Sequence, residues 1–195
     1  MAQKSMSVDR ASKKPRVLVF AGPNGSGKTT VAQALPVVGV YINADDLKKE
    51  YGLTDLEAAQ KAESLRNSLV DKNEDFTFET VLSTERNLLL LQNAKQRGYE
   101  VRSIYVLTCN EAINVARVKA RYLAGGHDVP EDKIRTRYQR ALGLLPRLLD
   151  LCDDILVYDN TEMPLPIFSK QGLEKQIIPN RYWSKTAIEK LTSSF

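Results

Sequence analysis

Gly22-Pro23-Asn24-Gly25-Ser26-Gly27-Lys28-Thr29-Thr30 decides how the rest of this chain is read. It fits Gly-x-x-x-x-Gly-Lys-Thr, a loop whose backbone N–H groups cradle a phosphate. The context agrees. Arg16-Val17-Leu18-Val19-Phe20-Ala21 before it is a short apolar run that reads as a buried strand. Thr29 to Leu35 after it reads as a helix, stopped by Pro36. Strand, glycine loop and helix together make an anion site at a helix N-terminus. Gly22, Gly25 and Gly27 permit the close backbone approach such a loop needs. Lys28 is expected at the β/γ-phosphates of a nucleoside triphosphate, and the Thr29 hydroxyl on a Mg²⁺ ion that arrives with it.

Outward from this loop, strand-like and helix-like segments alternate, the signature of a parallel sheet with helices on both faces. The later strands are read at Val38–Ile42, Phe76–Leu82, Val101–Leu107 and Ile155–Tyr158. That gives a three-layer α/β P-loop fold of the small-kinase type, with five parallel strands. Thr54-Asp55-Leu56-Glu57 is a capping box, and Leu56, Ala59, Ala62, Leu65 and Leu69 form the stripe of the helix it opens. A helix from Ser83 to Arg97 carries an all-apolar Leu88–Leu91 run expected to be buried. Another, capped by Asn110, reaches Leu123, and the next begins at Pro130 with Pro146 expected to kink or divide it. A hairpin near Lys170-Gln171-Gly172 and a terminal helix from Ser184 complete the reading.

The 195 residues suit one domain, read as 16–195 behind a disordered basic lead-in at 1–15. No run of about 18 apolar residues indicates a membrane span. The lead-in lacks the apolar core of a secretory signal, so a cytoplasmic protein is expected. Cys109 and Cys152 read as free thiols. The net charge of +4 is exceeded by Lys4, Arg10, Lys13, Lys14 and Arg16 at the start of the chain, and no aromatic-basic motif accompanies it, which argues against nucleic acid as partner.

Two further groups carry chemistry. Arg117, Arg121, Arg135, Arg137 and Arg140 flank Ala124-Gly125-Gly126-His127-Asp128, where the Gly-Gly pair would hinge a lid. Planar guanidinium groups match the charge of a phosphoryl group in transfer. At strand ends, where ligands of open parallel sheets sit, stand Asp45, Asp46 and Glu79. An aspartate there can take the proton of an acceptor hydroxyl while a second carboxylate holds the acceptor. Asp46 also reads as a helix N-cap. The Asp159-Asn160-Thr161 loop is a candidate adenine reader.

Gly22 to Thr30, Ile42-Asn43-Ala44-Asp45-Asp46-Leu47, Phe78-Glu79-Thr80 and Arg121-Tyr122 occur in an order that resembles the zeta toxin family of P-loop kinases. The resemblance implies an ATP-dependent kinase acting on a hydroxyl of a nucleotide-sugar, typically UDP-N-acetylglucosamine, and an antitoxin protein as partner; the residues alone also admit a kinase of another acceptor (a nucleoside, dinucleotide or antibiotic) and a nucleotide-dependent binding protein without transfer chemistry. It implies Asp45 as catalytic base, Glu79 with Thr80 at the acceptor, and Lys28 and Arg121 on the γ-phosphate. This chain has Ser83 where the family often carries an arginine, and Arg86 one turn on is the expected substitute. His127 falls where a second lid arginine is common, and Arg135 or Arg137 would serve in its place.

Overall fold

The computed structural model describes residues 14–126 and 128–193. The lead-in, apart from its last residues, and His127 lie outside the described residues. The chain runs β1 (Arg16–Ala21), α1 (Lys28–Gln33), β2 (Val40–Ile42), α2 (Ala44–Tyr51), α3 (Asp55–Lys72), β3 (Phe76–Thr80) and α4 (Arg86–Gln96). It continues with β4 (Glu100–Leu107), α5 (Glu111–Leu123), α6 (Glu131–Leu151), β5 (Asp154–Asp159), β6 (Leu165–Gln171), β7 (Glu174–Ile177) and α7 (Lys185–Thr192).

One sheet of seven strands in the order β2-β3-β1-β4-β5-β6-β7 carries these helices. The first five strands of that order are parallel, as expected, and β6 and β7 add an antiparallel hairpin at the edge. The sheet is therefore two strands wider than the sequence reading. Pro166 is accommodated in β6 because it pairs with Tyr158 where the register shifts at a bulge.

β1 sits between β3 and β4, and Val17 to Ala21 are buried, so the glycine loop leaves the middle of the sheet. The larger core covers one face under α3, α4, α6 and α7. A smaller one, with Leu18, Phe20, Ile104 and Val106 under Val31 and Ala32, seats α1 on the other. Successive strand residues point to opposite faces, which is why the alternation within β1 divides between the two cores.

Four local expectations are corrected. Asp46 does not cap a helix. Asn43 does, accepting from the Asp45 N–H at 2.9 Å, which puts both aspartates in the first turn of α2. The buried side of α3 is Ala58, Ala62, Arg66, Leu69 and Val70, while Leu56 and Leu65 are exposed. Leu89 also faces solvent, unlike its three leucine neighbours. Pro146 does not divide α6, which runs without a break from Glu131 to Leu151 with Pro146 buried. The Thr54–Glu57 capping box forms as read, with both reciprocal bonds present.

Candidate active site

A cleft of about 680 Å³ opens at the carboxyl ends of the parallel strands. Six of the nine loop residues line it: Asn24, Gly25, Gly27, Lys28, Thr29 and Thr30. Gly22, Pro23 and Ser26 turn inward. Ser26 is fully buried, and Gly22 donates its N–H to the Thr80 carbonyl at 3.2 Å.

Each of the three glycines has a backbone angle that suits it and a neighbour that leaves no room for a methyl group. Gly22 (φ +138°) would put a Cβ 2.0 Å from the Val106 carbonyl oxygen, and Gly25 (φ +75°) 2.5 Å from that of Asn114. Gly27 (φ +93°) would put one 2.2 Å from Asn160 Nδ2. The loop is also tied from outside. Asn114 Nδ2 donates to the Asn24 carbonyl at 2.6 Å, and Asn160 Nδ2 to the Ser26 carbonyl at 2.8 Å. Asn114 Oδ1 in turn accepts from the Thr108 hydroxyl. Ser26 Oγ and Asn24 Oδ1 are buried and find no hydrogen-bond partner among the described residues. A tight glycine cradle with fixed walls fits a polyphosphate.

Lys28 Nζ donates across the loop to the Pro23 carbonyl at 2.9 Å. Its pKa is lowered to about 8, chiefly by removal from water. Arg121 pushes in the same direction, while the nearby Glu79 and Asp45 carboxylates oppose both. Glu79, half-buried at the end of β3, accepts from Thr29 Oγ1 at 2.9 Å and from the Tyr41 hydroxyl. The Tyr41 hydroxyl has its pKa raised by burial and by that same carboxylate. Asp45 projects from the first turn of α2 and lines the cleft opposite the loop. Thr80 lines it too, its hydroxyl accepting from Asn87 Nδ2 at 2.7 Å and from the Leu82 N–H at 3.0 Å. Oxygen donors dominate around Thr29, Glu79 and Asp45, a set that suits a hard cation such as Mg²⁺ held jointly with substrate phosphates. Among the described residues no three His, Cys, Asp or Glu side chains cluster as a metal site.

The arginines divide. Arg117 and Arg121, one turn apart on α5, both line the cleft, Arg117 donating to the Thr161 carbonyl at 3.0 Å. Lys133 and Arg137, one turn apart on α6, line it from the other side of the lid. Arg135 does not. It is held by Glu111 at 3.1 Å and Glu131 at 2.8 Å, so of the two expected substitutes it is Arg137 that faces the cleft. Gly125 and Gly126 close α5 in a Schellman turn, with N–H bonds to the Tyr122 and Arg121 carbonyls, both at 2.9 Å.

Neither Ser83 nor Arg86 lines the cleft. Ser83 lies in the loop before α4, which begins three residues later than expected, and Arg86 is exposed and paired with Glu63 at 3.1 Å. Arg66 lines it instead. Arg66, Asn87, Asn114 and Asn160 had no place in the sequence reading as functional side chains, although Asn160 lay in the loop read as an adenine contact. The signal for Asn114 is a polar residue four before Val118 on the buried side of its helix.

The sequence profile of the zeta toxin family matches residues 2–165. The chain belongs to the zeta toxin family. An uncharacterized protein of Haemophilus influenzae is 30% identical over 129 residues, which cover 63% of this chain and 92% of that protein. A cytidylate kinase of Sulfurisphaera tokodaii is 38% identical over 80 residues, 38% of this chain and 43% of the kinase. Among solved structures, one from the PezAT toxin–antitoxin system of Streptococcus pneumoniae superposes with a TM-score of 0.54 at 21% identity, covering 79% of this chain and 71% of that one. The AvrRxo1-ORF1:-ORF2 complex with ATP superposes with a TM-score of 0.70 at 16% identity, covering 92% of this chain and 64% of that one. At these identities the superpositions show a shared fold. Family membership and the P-loop kinase fold support an ATP-dependent phosphotransferase. No helix among the described residues is long and apolar enough to cross a membrane.

Proposed function

We propose that this zeta toxin family member transfers the γ-phosphoryl group of ATP to a hydroxyl of a nucleotide-sugar, with UDP-N-acetylglucosamine as the first acceptor to test. The observation that carries the reading is the convergence of Asp45 and Glu79 on the cleft in front of Lys28, whose ionisation responds to both carboxylates and to Arg121.

In the proposed reaction the glycine loop holds the β- and γ-phosphates through its N–H groups and Lys28. The acceptor hydroxyl enters between Asp45 and Glu79. Its oxygen forms a bond to the γ-phosphorus as the bond from that phosphorus to the β–γ bridging oxygen breaks, and ADP leaves with the electron pair. Asp45 receives the hydroxyl proton. Arg121 and Arg137 face the charge on the transferring oxygens, where fixed guanidinium donors are most effective. Mg²⁺ bound with the nucleotide would offset phosphate charge, with Thr29 and Glu79 as the chain's own oxygen donors.

Support for an antitoxin partner comes from the PezAT system, a toxin–antitoxin pair whose solved structure shares this fold. The likeness to a cytidylate kinase favours a second reading, in which the acceptor is a nucleotide. One experiment separates the two. The protein is incubated with ATP, Mg²⁺ and a panel of nucleotide-sugars, nucleotides and nucleosides, and products are read by mass spectrometry. A phosphorylated nucleotide-sugar, lost in Asp45→Ala while ATP binding persists, supports the first reading. Phosphorylation of nucleotides alone replaces it with the second.

A further inference from the structure

Asp159 ends β5 with its carboxylate buried, only 2% exposed. Its Oδ1 accepts from the Thr161 N–H at 3.0 Å and from the Thr161 hydroxyl. Its Oδ2 accepts from Asn180 Nδ2 at 2.9 Å. The Asn180 amide is held in that orientation, because its Oδ1 accepts from the Tyr182 N–H at 2.8 Å and the Trp183 N–H at 2.9 Å. The Asn180 N–H also donates to the Trp183 carbonyl at 3.0 Å, and Trp183 belongs to the larger core. A segment anchored in the core thus grips the end of β5. It lies outside residues 2–165, the part of the chain that matches the family profile.

An aspartate that bonds the N–H two residues on is an ordinary turn device. Two observations set this one apart. A buried carboxylate is costly unless its oxygens are served, and here the second oxygen is served from 21 residues further along the chain. The turn, moreover, holds the walls of the glycine loop. Asn160 Nδ2, within it, donates to the Ser26 carbonyl at 2.8 Å and stands against Gly27. The Thr161 carbonyl accepts from Arg117 Nη2 at 3.0 Å, while Thr161 Oγ1 accepts from the Cys109 N–H at 2.9 Å. Neither Asp159 nor Asn160 nor Thr161 lines the cleft, whereas Gly27 and Arg117 do. The turn therefore acts on a nucleotide through what it holds.

We propose that Asn180 is a positioning residue of the nucleotide site: through Asp159, the C-terminal segment fixes Asn160 against the glycine loop and Arg117 at the edge of the cleft. This rests on ATP occupying the glycine loop and not on the acceptor, so it applies to both readings of the acceptor above. Without the Asn180 donor the Asp159 carboxylate loses a partner it cannot replace from the core, and the turn shifts to reach water. A phosphate loop whose walls are already set binds without the cost of ordering them. Loosening the turn restores that cost, and ATP affinity falls.

The test is calorimetric titration of the full-length protein with a non-hydrolysable ATP analogue and Mg²⁺. Asn180→Ala should weaken binding about fivefold, part of what one hydrogen bond to a charged group contributes. Ser184→Ala uncaps α7 in the same segment without touching the clasp. It should lower Tm and leave the affinity within about twofold of wild type, as a substitution that affects stability alone would. Asp159→Asn sets two amide donors against each other and should also weaken binding. The double variant Asp159→Asn/Asn180→Asp reverses the direction of the bond and should recover affinity to within about threefold of wild type. An unchanged affinity in Asn180→Ala, equal losses in Asn180→Ala and Ser184→Ala, or a double variant no better than the single ones overturns the proposal. Hydrogen exchange of the wild type decides it should the single variants not fold. By linkage ATP must favour the clasp as the clasp favours ATP, so saturating analogue should slow exchange at Tyr182 and Trp183 more than at the hairpin turn of Gly172 and Leu173. Equal change at the two places overturns it. Wild-type protein that binds no ATP overturns the kinase reading as well, whereas binding that is blind to Asn180 overturns this inference alone.

Discussion

Thr29 Oγ1 donates to Glu79 Oε2 at 2.9 Å, joining the last residues of the glycine loop to the tip of a neighbouring strand. The other carboxylate oxygen accepts from the Tyr41 hydroxyl on β2. Glu79 is therefore clamped at both oxygens, and its position is fixed relative to the residue that would share a cation with the nucleotide. Glu79→Gln keeps the shape and removes the charge. Loss of up to about a hundredfold in kcat/KM is expected, the scale of a group that orients a metal site. Tyr41→Phe removes one hydrogen bond, worth about 1 kcal/mol, and should cost roughly fivefold. Steady-state ADP release measures both. Equal effects from the two variants would mean that the glutamate's charge is irrelevant.

Lys28 supplies a pH prediction. Its ammonium, lowered to about 8 chiefly by burial, is charged below that pH and neutral above it. The free enzyme should therefore lose affinity for the triphosphate as pH rises through about 8, and kcat/KM for ATP should fall along one alkaline limb. Below pH 7 the charge is complete, and lysine titration gives no further change. Lys28→Arg, charged throughout, should abolish the limb even if its turnover is poor. A limb that persists in the arginine variant assigns the titration elsewhere.

The walls of the glycine loop carry a third prediction. Asn114 is fully buried, and its amide holds the Asn24 carbonyl while its own carbonyl oxygen crowds Gly25. Asn114→Ala strands the Asn24 carbonyl and the Thr108 hydroxyl, at about 2 kcal/mol, which is roughly 4–8 °C in Tm for a chain of this size. The KM for ATP should rise as the loop loosens. Thr54→Ala removes a helix cap, costing about 1 kcal/mol. It touches none of the loop, so its KM for ATP should be that of the wild type. Calorimetric melting and ATP titration of both variants separate stability from loop geometry.

How much of the fold is legible in the sequence follows from how local the signals are. The loop, its strand and its helix are contiguous, and so are the Thr54 box and the Asn110 cap, so each was legible in a few residues. Asp45 and Glu79 were legible because strand ends of a parallel sheet all face one rim. The α3 stripe differs because leucine outweighs alanine in the pattern, whereas the buried positions are held by Ala58 and Ala62 and Leu56 and Leu65 face solvent. Arg66 was hidden by that same misreading, since an arginine is assigned to solvent by default. The turn of the edge hairpin was legible at Lys170-Gln171-Gly172, but its pairing with β5 was not, because Pro166 joins that strand across a register shift, a feature of strand pairing rather than of the strand itself.

The two arginines that sequence left as equals can now be told apart by experiment. Arg135 and Arg137 are two residues apart on α6, which places them about 200° apart around the helix axis. Arg135 is spent on Glu111 and Glu131 near the surface, where exposed ion pairs contribute little. Arg137 faces the cleft together with Arg121. If guanidinium charge stabilises the phosphoryl group in flight, Arg137→Ala should lower kcat by about a thousandfold, the low end for an arginine supplied to phosphoryl transfer. Arg135→Ala should stay within about threefold of wild type. Single-turnover rates, which isolate chemistry from product release, are the measurement. Comparable losses in the two variants would show that the lid acts through its overall charge, and would return the role of second lid arginine to the residues on α5.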